Sequence, residues 1–226
     1  MKIAVISANL GRYDPDVPWV PQIVPAGVTV EVHRLTDATF PPRPKAMTSA
    51  LQCGIPKWFG ADLFPGADVY LWVDASCALL NSHAVTLLLE RLGTSNLLVF
   101  RHPDRATIGE EYEFLKTRLA RPGERYLTTR YAGEWLDAQY EHICARHASF
   151  VDYQLFATTA FMYRPDPSVL AVFKETWFGK TRWHLHDQLF FAYALAKSDC
   201  NFRVLQEKYT DCPYLTFVRN RHRKSA

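Results

Sequence analysis

Three short stretches of this chain are apolar almost throughout rather than at alternate positions: 2–8 (KIAVISA), 68–73 (DVYLWV) and 96–100 (NLLVF). A strand of that kind shows water neither face, so it belongs inside a sheet covered on both sides, which is the habit of parallel α/β sheets. Further strands are expected at 28–32, where VTVEV alternates, at 155–164 and at 201–205. Helical patterns fall between them at 45–53, 83–92, 108–119, 134–147, 168–178 and 187–197. Ser82 is the expected N-cap of the second helix and Gly93 its stop. Pro15, Pro18, Pro21 and Pro25 forbid regular structure after the first strand, and PPRP at 41–44 makes another break. Strands alternating with helices predict a mainly parallel sheet flanked by helices. With no internal repeat, low-complexity tract or linker, residues 1–226 read as a single domain.

Composition excludes several classes. At 48% hydrophobic and 14% aromatic over 226 residues, the chain can bury a substantial core, so disorder is not a reading. No run approaches the ~20 apolar residues that span a bilayer. The opening MKIAVISANLGRYD is broken by Asn9, Arg12 and Asp14 where a signal peptide would stay apolar, so a cytoplasmic protein is expected. Five cysteines without CxxC spacing argue against a disulfide framework and a zinc knuckle. The net charge of +3 is concentrated in the tail 219–224, RNRHRK. Such a tail reads as a solvated end, as a nonspecific polyanion contact that leaves nucleic acid open without favouring it, or as a flap over a diphosphate.

In an open α/β sheet, ligands bind beyond the carboxyl ends of the strands. Asn9 after the first strand and Asp74 after DVYLWV belong on that rim. The first turn, SANLGRYD, has one glycine, so the dinucleotide fingerprint is missing, and there is no P-loop. A nucleotide bound here needs another phosphate device. A strand-end carboxylate such as Asp74 can hold Mg²⁺ or Mn²⁺, which neutralises a departing diphosphate. Ser76 stands where the second carboxylate of a D-x-D pair would be. Taken alone, a strand-end Asp such as Asp74 is more often a turn or cap residue than a ligand. Asp187 opens an apolar helix, where dipole and capping favour a carboxylate. Its functional reading, with Gln188, is contact with a sugar, either as general base or as a binder of sugar hydroxyls. His102 follows the 96–100 strand onto the same rim, with Arg105 nearby. Glu110, Glu111 and Glu113 start a helix, and one of the three is a candidate for the pocket wall. His184 and His186 lack a third ligand that would make them a metal pair. Trp58, Trp72 and Trp177 read as core, with Trp183 a candidate for stacking on a ligand.

Lys57, then Leu63-Phe64-Pro65, then Trp72-Val73-Asp74, then His102-Pro103 and Arg105, and finally Asp187-Gln188-Leu189 follow one another in an order that carries a resemblance. The chain resembles glycosyltransferases of the GT-A type. In particular it is similar to the glycosyltransferase-like family of plant mucilage-related hexosyltransferases and bacterial relatives, which usually read R-D-Q where this chain has His186-Asp187-Gln188. The resemblance implies a GT-A-like fold and transfer of a hexose from a nucleoside-diphosphate sugar, a UDP-sugar by preference, to a hydroxyl acceptor. Asp74, Ser76 and His222 would hold Mn²⁺ or Mg²⁺. Asn9, Arg12 and Tyr13 would line the nucleotide pocket, with Lys57, His102 and Arg105 as further substrate contacts. Asp187 and Gln188 would serve the sugar. Two rivals stand beside this reading: a metal-dependent phosphoester or nucleotide hydrolase, and a non-catalytic module that binds a nucleotide sugar or nucleic acid.

Overall fold

The computed structural model describes residues 1–12, 14–146, 150 and 152–218. The chain begins with β1 (Lys2–Asn9), followed after the proline-rich loop by β2 (Thr29–Thr36). Three short helices come next, α1 (Ser49–Gln52), α2 (Gly54–Trp58) and α3 (Gly60–Leu63). The expected helix over 45–53 therefore starts later and breaks at Cys53. Thr48 caps it by accepting from the Leu51 amide at 3.2 Å, and Pro56 has no N–H to continue the ladder across the break.

Then follow β3 (Val69–Val73), β4 (Cys77–Ala78), α4 (Ala84–Leu92) and β5 (Leu97–Arg101). The N-cap of α4 is His83, not Ser82, while Gly93 ends it at φ 54. Next are α5 (Ile108–Leu119), α6 (Tyr126–Tyr131), α7 (Leu136–Arg146) and β6 (Phe156–Tyr163). The chain continues with α8 (Pro167–Arg182), α9 (Asp187–Ala196), β7 (Phe202–Leu205) and β8 (Thr216–Phe217). Asp166 and Pro167 start α8 in the expected cap and N1 roles, and the helix runs a full turn past 178.

Six strands form one sheet in the order β2-β1-β3-β6-β5-β7, and β4 pairs only with β8. The β1–β2, β1–β3 and β5–β7 pairs are parallel, as expected. β6 is the exception, antiparallel to both β3 and β5. Alternate residues of the central strands feed two cores. Ala4, Ile6, Tyr70, Trp72 and Phe161 face one side, where α8 and α9 pack. Ile3, Val5, Leu71, Val73 and Met162 face the other, with α4. Both faces are covered, which is why these strands carry so few polar residues. Among the described residues, no helix is long and apolar enough to cross a membrane.

Candidate active site

Period-two alternation puts Asp74 on the same face as Trp72, two residues earlier on β3. The indole Nε1 of Trp72 donates to Asp74 Oδ1 at 2.7 Å. Because β6 runs backwards, its N-terminal half lies beside the C-terminal end of β3, and the Asp74 amide donates to the Thr159 carbonyl at 2.8 Å. A register shift in the β5–β6 pairing, from Val99↔Phe161 to Phe100↔Ala157, leaves 158–160 outside that ladder. Irregularities of this kind re-aim side chains. Here Thr158 donates from Oγ1 to Asp187 Oδ1 at 2.7 Å.

Asp187 reaches this place because α8 and α9 lie against each other with almost no gap at Gly179, where an added Cβ would sit 2.1 Å from the Phe190 ring. Lys57, on α2, joins the two carboxylates. Its Nζ is 3.0 Å from Asp187 Oδ2 and 3.6 Å from Asp74 Oδ1. Lys180 Nζ on α8 lies 3.5 Å from the same Asp187 oxygen. Two ammonium groups and two carboxylates thus share the floor of one cleft of about 860 Å³.

The four groups do not share their charge evenly. Burial would raise Asp187, but the Lys57 and Lys180 ammoniums and the Thr158 hydroxyl outweigh it and hold its carboxyl far below the usual range. Burial pushes Asp74 up, and the neighbouring Asp187 charge adds to that push against Lys57. Burial works against the Lys57 charge too, yet Asp187 and Asp74 raise its pKa; Lys180, buried and repelled by Lys57, is lowered. The two ammoniums and the hydroxyl therefore favour the charged form of Asp187. Asp74, whose side chain is 35% exposed, has both of its contacts on Oδ1.

The same cleft carries a second polar cluster. Glu111, 1% exposed, is held by Arg105 Nε and lies 2.8 Å from His186 Nε2, although that ring N–H is not aligned as a hydrogen bond. Burial would raise Glu111, but the His186 and Arg105 contacts keep its carboxyl low. His186 Nδ1 is 3.2 Å from the Tyr131 hydroxyl on α6. His184 accepts the His186 backbone N–H on Nδ1 at 3.0 Å and, pushed down to about 3 by burial, is neutral.

Of the residues singled out from sequence, Asn9, Lys57, Asp74, Ser76, His102, Arg105, Asp187 and Gln188 all line this cleft. Their side chains are not equally available. The Asn9 amide closes its own loop, with Nδ2 donating to the Asp14 carbonyl and Oδ1 accepting from the Asp14 amide. His102 organises the turn after β5 by accepting the Asp104 and Arg105 amides on Nδ1, and burial lowers its pKa to about 4. Arg105 is committed to Glu111 and packs 3.8 Å from the Phe114 ring centroid. Gln188 has no side-chain hydrogen bond among the described residues and is open to a ligand. Arg12 is exposed in a left-handed turn, φ 53, and is not on the cleft wall. Tyr13, His222 and the tail 219–226 lie outside the described residues. The chain does approach the cleft before them: β8 pairs with β4, and the Val218 amide donates to the Ser76 carbonyl at 2.7 Å.

Lys180, Thr158 and Tyr131 were not singled out from sequence. Lys180 carries a readable signal, since α8 buries Val169, Val172, Phe173, Thr176 and Lys180 on one helical stripe. Glu111 is likewise the charged member of the stripe Ile108, Glu111, Tyr112 and Leu115, which selects it from its neighbours Glu110 and Glu113. Thr158 and Tyr131 depend on the strand irregularity and on α6, neither of which has a sequence signature.

No family model matches the chain, and no curated protein matches it significantly. Among the solved structures that overlap it at low identity are the following three. A glycosyltransferase involved in glycosylation of the major capsid of PBCV-1 shares 10% identity, covering 90% of this chain and 81% of its own, at a TM-score of 0.44. Mouse xyloside xylosyltransferase 1 shares 10% over 91% and 85%, at 0.47. The galactosyltransferase LgtC, in complex with donor and acceptor sugar analogues, shares 11% over 90% and 73%, at 0.38. Likeness at this level assigns nothing to individual residues of this chain.

Proposed function

We propose that this chain is a glycosyltransferase that moves a hexose from a nucleoside-diphosphate sugar, a UDP-sugar by preference, to a hydroxyl acceptor. One observation carries the reading. A strand-end carboxylate and a helix-start carboxylate, from distant parts of the sequence, meet across a single lysine in one large cleft.

The charges on the floor cancel, so a diphosphate entering the cleft brings negative charge that nothing there offsets. Asp74 Oδ2 has no hydrogen bond or ion pair among the described residues, and Ser76 lines the same cleft. No group of three or more His, Cys, Asp or Glu side chains among the described residues is arranged to hold an ion. This donor set fits a hard divalent cation such as Mg²⁺ or Mn²⁺, which typically rests on one or two carboxylates and takes its other oxygens from substrate phosphate and water. When bound, the ion would neutralise charge on the departing diphosphate. Lys57 would face the same phosphates from the inner side. Asp187, its pKa lowered by the neighbouring ammoniums and its oxygens already engaged by three donors, suits the binding of sugar hydroxyls better than removal of a proton. Gln188, with its amide unengaged, is its partner in that role.

Titration of UDP in the presence of Mn²⁺ tests the assignment. The wild type is expected to bind, and Asp74→Ala to lose at least about tenfold in affinity, 1.4 kcal/mol. Mn²⁺ without UDP is expected to leave the melting temperature unchanged. Equal metal-dependent affinity in the two proteins would remove Asp74 from its role. The hydrolase alternative asks for a cluster of ligating side chains, and no observation favours it.

A further inference from the structure

Burying an ion pair seldom adds stability over apolar packing of the same shape. The cluster of Glu111, Arg105 and His186 on the cleft wall therefore calls for a reason beyond folding. Its geometry points to Tyr131. Glu111 Oε1 stands 2.8 Å from His186 Nε2, so that edge of the ring is taken up by the carboxylate. The other ring nitrogen, Nδ1, is left to the Tyr131 hydroxyl at 3.2 Å. The Tyr131 ring is itself immobilised, 8% exposed, tilted against His184 at 4.8 Å between centroids and edge-on to His186 at 5.7 Å.

A phenol has one donor and two acceptor positions, and His186 takes only one of them. If Nδ1 is bare, the phenol donates to it and keeps lone pairs for a ligand. If Nδ1 is protonated, the phenol accepts from it and keeps its own proton for a ligand. The group that answers both states is another hydroxyl, which donates and accepts equally, whereas a phosphate oxygen can only accept. Tyr131 lines the same cleft as Asp187 and Gln188, and the Asp187 charge is near enough to act on it.

We propose that Tyr131, held by the Glu111–His186 pair, hydrogen-bonds a hydroxyl of the sugar being transferred, with His186 and Glu111 as positioning residues behind it. This inference rests on the nucleotide-sugar reading above. Its test compares the affinities of UDP and of UDP-glucose or UDP-galactose, each with Mn²⁺, in wild type, Tyr131→Phe, His186→Leu and His186→Arg. Tyr131→Phe is expected to weaken the sugar nucleotide about threefold to tenfold, the range of one net hydrogen bond, while leaving UDP unchanged. His186→Leu should show the same selective loss, and the double variant no additional loss, because both changes remove one shared contact. His186→Arg, which keeps a donor for Glu111, should retain most of the sugar contribution. A general loss of fold would weaken UDP as much as its sugar conjugate. Equal losses for the two ligands, or no loss for either, with wild type binding both, would overturn this inference alone. A wild type that binds neither ligand would remove the donor reading and this inference with it.

Discussion

Two buried histidines give the chain a dependence on acidity that can be read residue by residue. His184 is pushed down to about 3 and His102 to about 4, in both cases chiefly by burial. An unfolded chain takes up a proton on each near 6.5, whereas the folded chain refuses it until far lower pH. The stability contributed by each neutral ring is thus present above 6.5 and declines as the pH falls from there towards 3 for His184 and 4 for His102. Between pH 7 and 5 each withdraws about 2 kcal/mol. His184→Asn, whose side-chain oxygen can accept the His186 amide in place of Nδ1, should lose less stability over that interval than the wild type, as read by urea unfolding at the two pH values. Identical acid losses would show that His184 is not the group responsible. At this scale the sequence is a partial guide. Asp74, Lys57, Asp187 and Gln188 could be selected because strand ends and helix starts put side chains on a rim. What it did not tell is which of them are already engaged. The Asn9 amide and His102 Nδ1 bond to neighbouring backbone, and Arg105 bonds to Glu111, through local turns that residue type alone does not specify.

Among the elements, the contact of α8 with α9 sets where Asp187 and Lys180 stand. Gly179 is where the two helices come nearest, against the ring of Phe190. Gly179→Ala would drive a methyl group into that ring, and the aromatic neighbours of Phe190, Trp183 and Tyr193, leave it little room to turn. A destabilisation of about 1–3 kcal/mol is expected from overpacking, together with weaker UDP binding as α9 shifts. A chemical-denaturation midpoint unchanged from wild type would contradict it. Element positions were largely legible, since α5 falls where the 3.6-residue pattern puts it and β1, β3 and β5 fall where apolar runs do. The direction of β6 was not. Periodicity reports which faces are buried and is the same read forwards or backwards, so a reversed strand leaves no trace in it. Yet that reversal is what carries Thr158 and Thr159 to the rim beside Asp74. The length of α6 and the two-residue strands β4 and β8 were too short for any pattern to register.

Over the whole molecule, the C-terminal strand β8 brings the chain to Ser76 through the bond from Val218. Residues 219–226 follow in the sequence, and we propose that their basic side chains act on the diphosphate. Deleting them should lower the affinity for UDP with Mn²⁺ about tenfold, the range of one charge-assisted hydrogen bond, measured by calorimetry on the full chain and the shortened one. Unchanged affinity would assign the tail to some other task. The lysine between two carboxylates has one more consequence, for the order in which the protein comes off the ribosome. Lys57 and Asp74 are synthesised early and Asp187 late, so for much of synthesis the ammonium has a single counter-ion where the finished protein gives it two. Sealing that ammonium away from water with one partner is costly, so its burial is expected to wait until α9 is in place.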